Sequence, residues 1–272
     1  MRIGRLAGDT DSTILAMQVL GLALAGTGAY EEAAGIFGES ARFGREYGIG
    51  PFLARSIAMS AGFHLDVFDF EGHLAGVDEA CEVARSVNFV PPLISATIDK
   101  MLNLARRGDV GGAERLESEV ASAVERAGSW HAWLWALRMA QTHAEIALAR
   151  GDADSAIDLA SASLDHASGR RPKYEVLALI TRAAALSRLG RTSAAIADLE
   201  HAVAQARGVA DPALFVRATS ALLSLDGNDG RAREARGAAA SILAHLPLPS
   251  MRERFLAAEP VQAIGPLDAL VG

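Results

Sequence analysis

The residues of this 272-residue chain best suited to recognising a ligand fall on one stripe. All three tryptophans stand in the run Trp130-His131-Ala132-Trp133-Leu134-Trp135. Extended as a helix, that run places Trp135, Arg138, Thr142 and Glu145 one above another by the three-and-four spacing, with Gln141 beside them. An aromatic wall, a guanidinium and a carboxylate on one face would hold a peptide or a small molecule by stacking and by paired charge. Equivalent positions in other helices carry Gln18, His64, Asp99, Asn103 and Arg217. A polar stripe of this kind down the inside of a helical array would give a groove its register and selectivity. The competing reading of the same residues is packing, with tryptophans filling gaps between helices and charges on a solvated face.

Elsewhere the chemistry-bearing residues do not converge. His64, His73, His131, His143, His166, His201 and His245 are scattered singly, without His-Glu-x-x-His or any paired metal-ligand spacing. Cys81 is the only cysteine, which excludes an internal disulfide and a cysteine-based zinc site. Asp226-Gly227-Asn228-Asp229-Gly230 is like the start of a calcium loop, but the twelfth position is Gly237, where an acidic ligand is needed. Neither Gly-x-Ser-x-Gly nor a phosphate-binding Gly-x-x-x-x-Gly-Lys-Ser/Thr occurs, and the two lysines stand as Asp99-Lys100-Met101 and Pro172-Lys173-Tyr174. The expectation is a protein that is not an enzyme, with no catalytic residue, no metal and no cofactor. Arg231, Arg233, Arg236, Arg252 and Arg254 make the C-terminal end locally basic, either as a docking surface for an acidic partner or as a solvated face balanced by Glu234 and Glu253.

The elements that would position the stripe are set by a repeat. A turn residue, usually glycine, is followed five positions later by alanine at Gly28/Ala33, Phe70/Ala75, Gly108/Ala113, Gly151/Ala156, Gly190/Ala195 and Gly227/Ala232. A period of about forty residues is the mark of a helical solenoid. Each unit reads as two antiparallel helices, the alanine sitting where their backbones approach. Gly48-Ile49-Gly50-Pro51, Pro91-Pro92, Gly128, Ser168-Gly169-Arg170-Arg171-Pro172 and Asp211-Pro212 separate the units. The pattern predicts pairs at about 10–26/30–47, 52–69/73–88, 92–107/110–127, 130–150/153–167, 173–189/192–207 and 212–225/230–246, then a short helix near 250–258. The expected fold is all-α, a right-handed α-solenoid of about six helix-turn-helix units over residues 1–259 with a C-terminal capping helix. A loosely docked tail at 260–272 follows.

The glycine-to-alanine spacing, with Gly108-Asp109 and Arg150-Gly151-Asp152 at the turns, resembles the tetratricopeptide repeat in an extended form. The stretch Ala185-Leu186-Ser187-Arg188-Leu189-Gly190-Arg191, with Asp198-Leu199, Ala202 and Ala206-Arg207, is similar to the last repeats of large bacterial signalling ATPases. The close, Leu246-Pro247, Met251-Arg252-Glu253-Arg254-Phe255-Leu256 and Pro260-Val261, is similar to the end of their helical sensor regions. These are transcriptional or signalling regulators of the MalT/LuxR type or the adenylate-cyclase-like type. The resemblance implies a non-catalytic interaction or sensor module that binds a protein or peptide partner; the alternative is a small-molecule or peptide effector receptor using the concave groove.

A net charge of -7 and a pI near 5.5 oppose direct nucleic-acid binding. No run approaches the roughly 20 apolar residues a membrane span needs. The apolar stretch Ile14 to Ala25 follows Arg2 and Arg5, but Asp9, Asp11 and Gln18 interrupt a secretory pattern, so a reducing cytoplasmic setting is expected. That helix is apolar nearly all round, which points to a cover over it, either preceding sequence or a second copy in a homo-oligomer.

Overall fold

The computed structural model describes residues 9–129 and 131–267, and among these it contains fifteen α-helices and no strand. They are α1 (Thr10–Gly26), α2 (Tyr30–Glu46), α3 (Gly50–Asp66), α4 (Phe70–Ser86), α5 (Val90–Arg106), α6 (Val110–Arg115), α7 (Glu117–Ala127), α8 (Ala132–Arg150), α9 (Ala153–Ala167), α10 (Pro172–Arg188), α11 (Thr192–Val209), α12 (Pro212–Asp226), α13 (Asp229–His245), α14 (Pro249–Ala257) and α15 (Glu259–Ala263). Each of the first five is 17 residues long and each turn takes three, so the chain advances by half-units of twenty.

Local chemistry sets these boundaries. Asp9, Asp69, Asp109, Asp152, Asp211 and Asn228 each accept a backbone N–H of the first turn of the helix that follows, satisfying a donor the helix cannot. Proline opens α3, α5, α10 and α12, where its missing N–H costs nothing. The stops are left-handed residues closed by a six-to-one hydrogen bond, as in Asp109 N to Leu104 O at 2.9 Å. Glycine supplies most of these turns, but Phe68, Asn88 and Ala210 adopt the same positive φ without being glycine.

The helices pack in consecutive antiparallel pairs, compatible with a helical-repeat array. The first helices of the pairs (α1, α3, α5, α8, α10 and α12) also pack directly on one another and form an inner layer. Small residues on the second helices let them pack closely against the first. Ala33, Ala113, Ala156 and Ala195 are buried at the helix crossings, and a Cβ added to Gly44 would lie 2.9 Å from the Leu53 Cβ. Ser56, Thr97, Thr142 and Thr181, one in each of four inner helices, donate their hydroxyls back to the carbonyl four residues earlier. That bond satisfies a buried hydroxyl and favours helix bending.

The two ends of the array meet. One apolar cluster joins Tyr30, Phe37, Phe63 and Phe68 to residues from Val176 through Ile264. Phe68 stacks on Phe255 at 6.0 Å, Lys173 Nζ reaches Asp66 Oδ2 at 2.5 Å, and α2 touches α13. Residues far apart in sequence thereby meet beside the inner layer.

Four expectations need correction. In the second unit the left-handed turn is Phe68, not Phe70, so the helices run Gly50–Asp66 and Phe70–Ser86 rather than 52–69 and 73–88. The alanine place there is filled by buried His73, while Ala75 is exposed. The second helix of the third unit divides at Leu116, whose N–H bonds Ala113 O at 3.1 Å, a tightened turn rather than a stop. His131 is left-handed, so α8 begins at Ala132; Trp130 lies outside the described residues. Finally, the segment from Pro260 is not a loose tail as far as Ile264, because α15 packs on α12 and buries Val261 and Ile264.

Ala210 gives a direct check on the turn chemistry. It is exposed at φ 58, so its Cβ carries the left-handed penalty without any packing to offset it. Ala210→Gly should stabilise the fold by about 1 kcal/mol, read as a melting temperature roughly 2–4 °C higher.

Candidate functional site

Charges converge on the inner layer where the ends meet. Asp66 ends α3, Asp99 and Arg106 stand on α5, Arg138 and Glu145 on α8, Lys173 and Tyr174 open α10, Asp211 caps α12 and Arg217 follows one turn in. Asp66 and Arg106 end their helices forty residues apart, so the repeat itself carries them to neighbouring places. Four cations and four carboxylates therefore lie within electrostatic reach of one another.

Three of the cations have a carboxylate of their own. Arg106 holds Glu145 by two parallel bonds, Nε to Oε2 and Nη2 to Oε1, each 2.7 Å. Arg138 Nη2 bonds Asp99 Oδ1 at 2.5 Å and Ser95 O at 3.0 Å. Lys173 reaches Asp66 across the array, between residues 107 apart in sequence. Burial opposes each charge, and the partner outweighs it: Lys173 is held up to about 12 by Asp66 and Asp211, Arg138 is raised by Asp99, and Glu145 is lowered by Arg106. The Lys173 and Asp66 side chains remain 39% and 33% exposed, so this part of the interior is wetted rather than dry.

Asp211 differs. Burial pushes its carboxyl up, with Lys173 opposing and Asp66 adding to the rise. Arg217 also differs: among the described residues no carboxylate lies at ion-pair distance from it, and its guanidinium lies over the Phe68 ring at 4.6 Å. Its Nη2 is buried without a hydrogen-bond partner, as are Tyr30 Oη, His73 Nε2 and Arg138 Nε.

Beside this cluster Asp69, 1% exposed, joins three elements. Its Oδ1 accepts from Gly72 N at 2.9 Å and Arg254 Nη1 of α14 at 2.7 Å, and its Oδ2 pairs with His64 Nδ1 at 2.7 Å. A carboxylate can only accept, so His64 carries its proton on Nδ1. Burial raises the Asp69 pKa, but the bonds from His64, Gly72 and Arg254 prevail and hold it at about 2.

The expected stripe divides accordingly. Arg138, Glu145 and Asp99 belong to the charged interior, and His64 adjoins it through Asp69. Trp135 is no groove wall: it is buried among Ile94, Ile98 and Met101, with Nε1 3.4 Å from Ser95 Oγ. Gln141 is a buried tie, donating to Thr181 at 3.0 Å and Glu145 at 3.1 Å and accepting from Ser163. Thr142 donates to Arg138 O, and Asn103 donates to Phe70 O at 2.9 Å. Gln18 links Phe52 O and Ser56 in the same manner. Asp66, Asp69, Arg106, Lys173 and Asp211 escaped the sequence reading, although the forty-residue spacing of the charged helix ends was available to find two of them.

Among the described residues no group of three or more His, Cys, Asp or Glu is arranged to hold a metal, and no helix is long and apolar enough to cross a membrane. No protein-family model matches the chain, and no curated protein matches it.

His73 makes the buried geometry measurable. Asn103 Nδ2 lies 2.9 Å from His73 Nδ1, and burial drives the imidazole from 6.5 down to about 4. The folded state keeps His73 neutral while the unfolded chain takes up a proton below 6.5, so stability falls with pH between about 6.5 and 4. The loss should reach about 3 kcal/mol. Urea midpoints measured across that window should show this slope in the parent and a markedly flatter one in His73→Ala, which installs the residue the other units use.

Proposed function

We propose that this chain is a non-catalytic sensor module of a bacterial regulatory system, a right-handed tetratricopeptide-like superhelix that takes a small polar effector into its charged interior. One observation carries the reading. The inner helices of five successive units bring charged side chains into one partly buried cluster, and that cluster lies where the first and last thirds of the chain touch. A peptide groove fits less well, since a helix about 10 Å wide cannot lie along an inner face that Lys173 and Asp66 already bridge. Convergent polar groups in a partly wetted interior suit a small ligand. A ligand bound between the two ends would favour the closed arrangement and so change what the outside offers a partner.

Calorimetric titration with a panel of small anionic, zwitterionic and cationic metabolites tests this. We expect saturable one-to-one binding for one chemical class, weakened about tenfold or more in Arg138→Met, which removes an inner charge, and unchanged in Val19→Ser on the outside. Silence across the panel would remove the effector reading.

The second reading, a docking surface for a protein partner or a second copy, rests on α1. Its outer face exposes Val19 at 61% and Leu22 at 46%, with Leu20 beside them and no charge on that face beyond the first turn. An uncovered apolar face of this kind marks an interaction surface. Sedimentation should then show concentration-dependent association that Val19→Asp with Leu22→Asp abolishes, and a monodisperse parent at high concentration would exclude self-association.

A further inference from the structure

A cleft opens on the outside of the array, and it traces to a local departure from the repeat. Where α2, α3 and α4 meet, Gly44 lets Leu53 approach until an added Cβ would lie 2.9 Å from the Leu53 Cβ. Val87 stands so close over Gly50 that a Cβ there would collide with its methyl group. Forty residues on, where α4, α5 and α7 meet, the same places hold Ala84, Leu93, Ala127 and Val90. Both glycines have gained side chains, and the valine that covered the seam is cut back to a single methyl group. Here lies a cleft of about 380 Å³, which shares no residue with the charged interior.

We propose that this cleft binds a small carboxylic acid with an apolar body, its carboxylate held at the rim by Arg126. The inference goes beyond the effector reading and stands apart from it. Ala84, Phe89, Val90 and Leu93 are buried or half-buried and form the base. Arg85, Asn88, Ser122 and Arg126 are exposed and, with Glu119, form the rim. The volume falls in the range of ligand sites, and an apolar base with a few polar groups above it is their usual make-up.

The charges select the ligand. Arg85 Nη2 is engaged by Glu119 Oε1 at 2.5 Å, whereas Arg126, among the described residues, has no carboxylate at ion-pair distance. Two arginines against one glutamate leave the lining one positive charge in excess, with the Asn88 amide and the Ser122 hydroxyl as further donors. A monocarboxylate answers that excess and matches the planar guanidinium fork. Inorganic phosphate would bring a second negative charge towards Glu119 and has nothing to bury against Phe89 and Leu93. The apolar body is required because an exposed ion pair alone contributes little.

The test is a titration of the full chain with sodium 3-phenylpropionate, followed by the backbone amide signals in NMR spectra. Three controls run at matched ionic strength: 3-phenylpropionamide keeps the body without the charge, sodium acetate keeps the charge without the body, and sodium phosphate carries the other anion. 3-Phenylpropionate should bind saturably, in the millimolar range expected of so small a ligand, and move the amides of residues 84–90 and 119–126. Each control should bind there at least about tenfold more weakly. Arg126→Glu reverses the free charge and Ser122→Trp fills the mouth; both positions are exposed, so both variants keep the fold, and each should abolish the shifts. Arg138→Met should leave them unchanged. Absence of saturation, comparable binding of the amide or of phosphate, or an undiminished response in either cleft variant overturns the proposal. Shifts that fall instead on the inner helices and vanish in Arg138→Met would overturn it while supporting the effector reading.

Discussion

Inner helices that touch one another must bury whatever their inner faces carry, and the rest of this structure follows from that closeness. Alanine and glycine at the crossings bring outer and inner helices together, and the inner helices also touch one another along the array. Side chains that would be solvated on an open concave surface here meet the next unit instead. Arg106 and Glu145, Arg138 and Asp99, and Gln141 and Thr181 are each 39 or 40 residues apart, one unit onward. On the outer helices the equivalent links are Arg45 to Glu79 and Arg85 to Glu119, both 34 residues apart and displaced from each other by forty. The outer pairs are exposed and contribute little, on the order of 0–1 kcal/mol each. The inner pairs are enclosed, and losing one partner there would strand a charge.

The second unit shows how the array closes. It alone lacks glycine at its internal turn and alanine at the crossing, having Phe68 and His73 instead. Between them Asp69 caps α4, pairs with His64 and receives Arg254 from the end of the chain. Gly72 follows because a Cβ there would lie 2.6 Å from His64 Nδ1 and closer still to Asp69. These departures from the repeat rule cluster where the far end docks, so they are the means of closure and not random drift. Phe68 contributes twice, stacking on Phe255 and lying under Arg217.

This division explains how much the sequence disclosed. Helices, their pairing and most boundaries were legible because glycine, proline and aspartate act locally, through φ and through orphan N–H groups. The second unit was misregistered by two residues because a phenylalanine in a left-handed turn has no local signature, and Phe70 with Ala75 gave a plausible substitute. Arg138, Asp99 and Glu145 were legible as a face, but their mutual pairing depends on the neighbouring unit. Trp135 was misassigned since helical spacing alone does not distinguish a groove from the seam between units. The Lys173 contact with Asp66 had no periodic cue at all, arising only where helices from distant parts of the array meet, 107 residues apart.

An apolar inner layer would have been simpler to stabilise. Well-packed hydrophobic residues commonly match or exceed a buried ion pair, which makes a charged interior weak support for stability as such. What ion pairs supply that aliphatic contacts do not is direction: a fork such as Arg106 on Glu145 tolerates little rotation of one helix against the next. A stack of similar helices with alanine seams has few other means of fixing its register, because small residues slide past one another at little cost. The charged interior therefore constrains how neighbouring inner helices sit against one another where the ends meet. An array built this way is sensitive to any change in charge balance at its centre, since altering one pair shifts both the local energy and the angle between units.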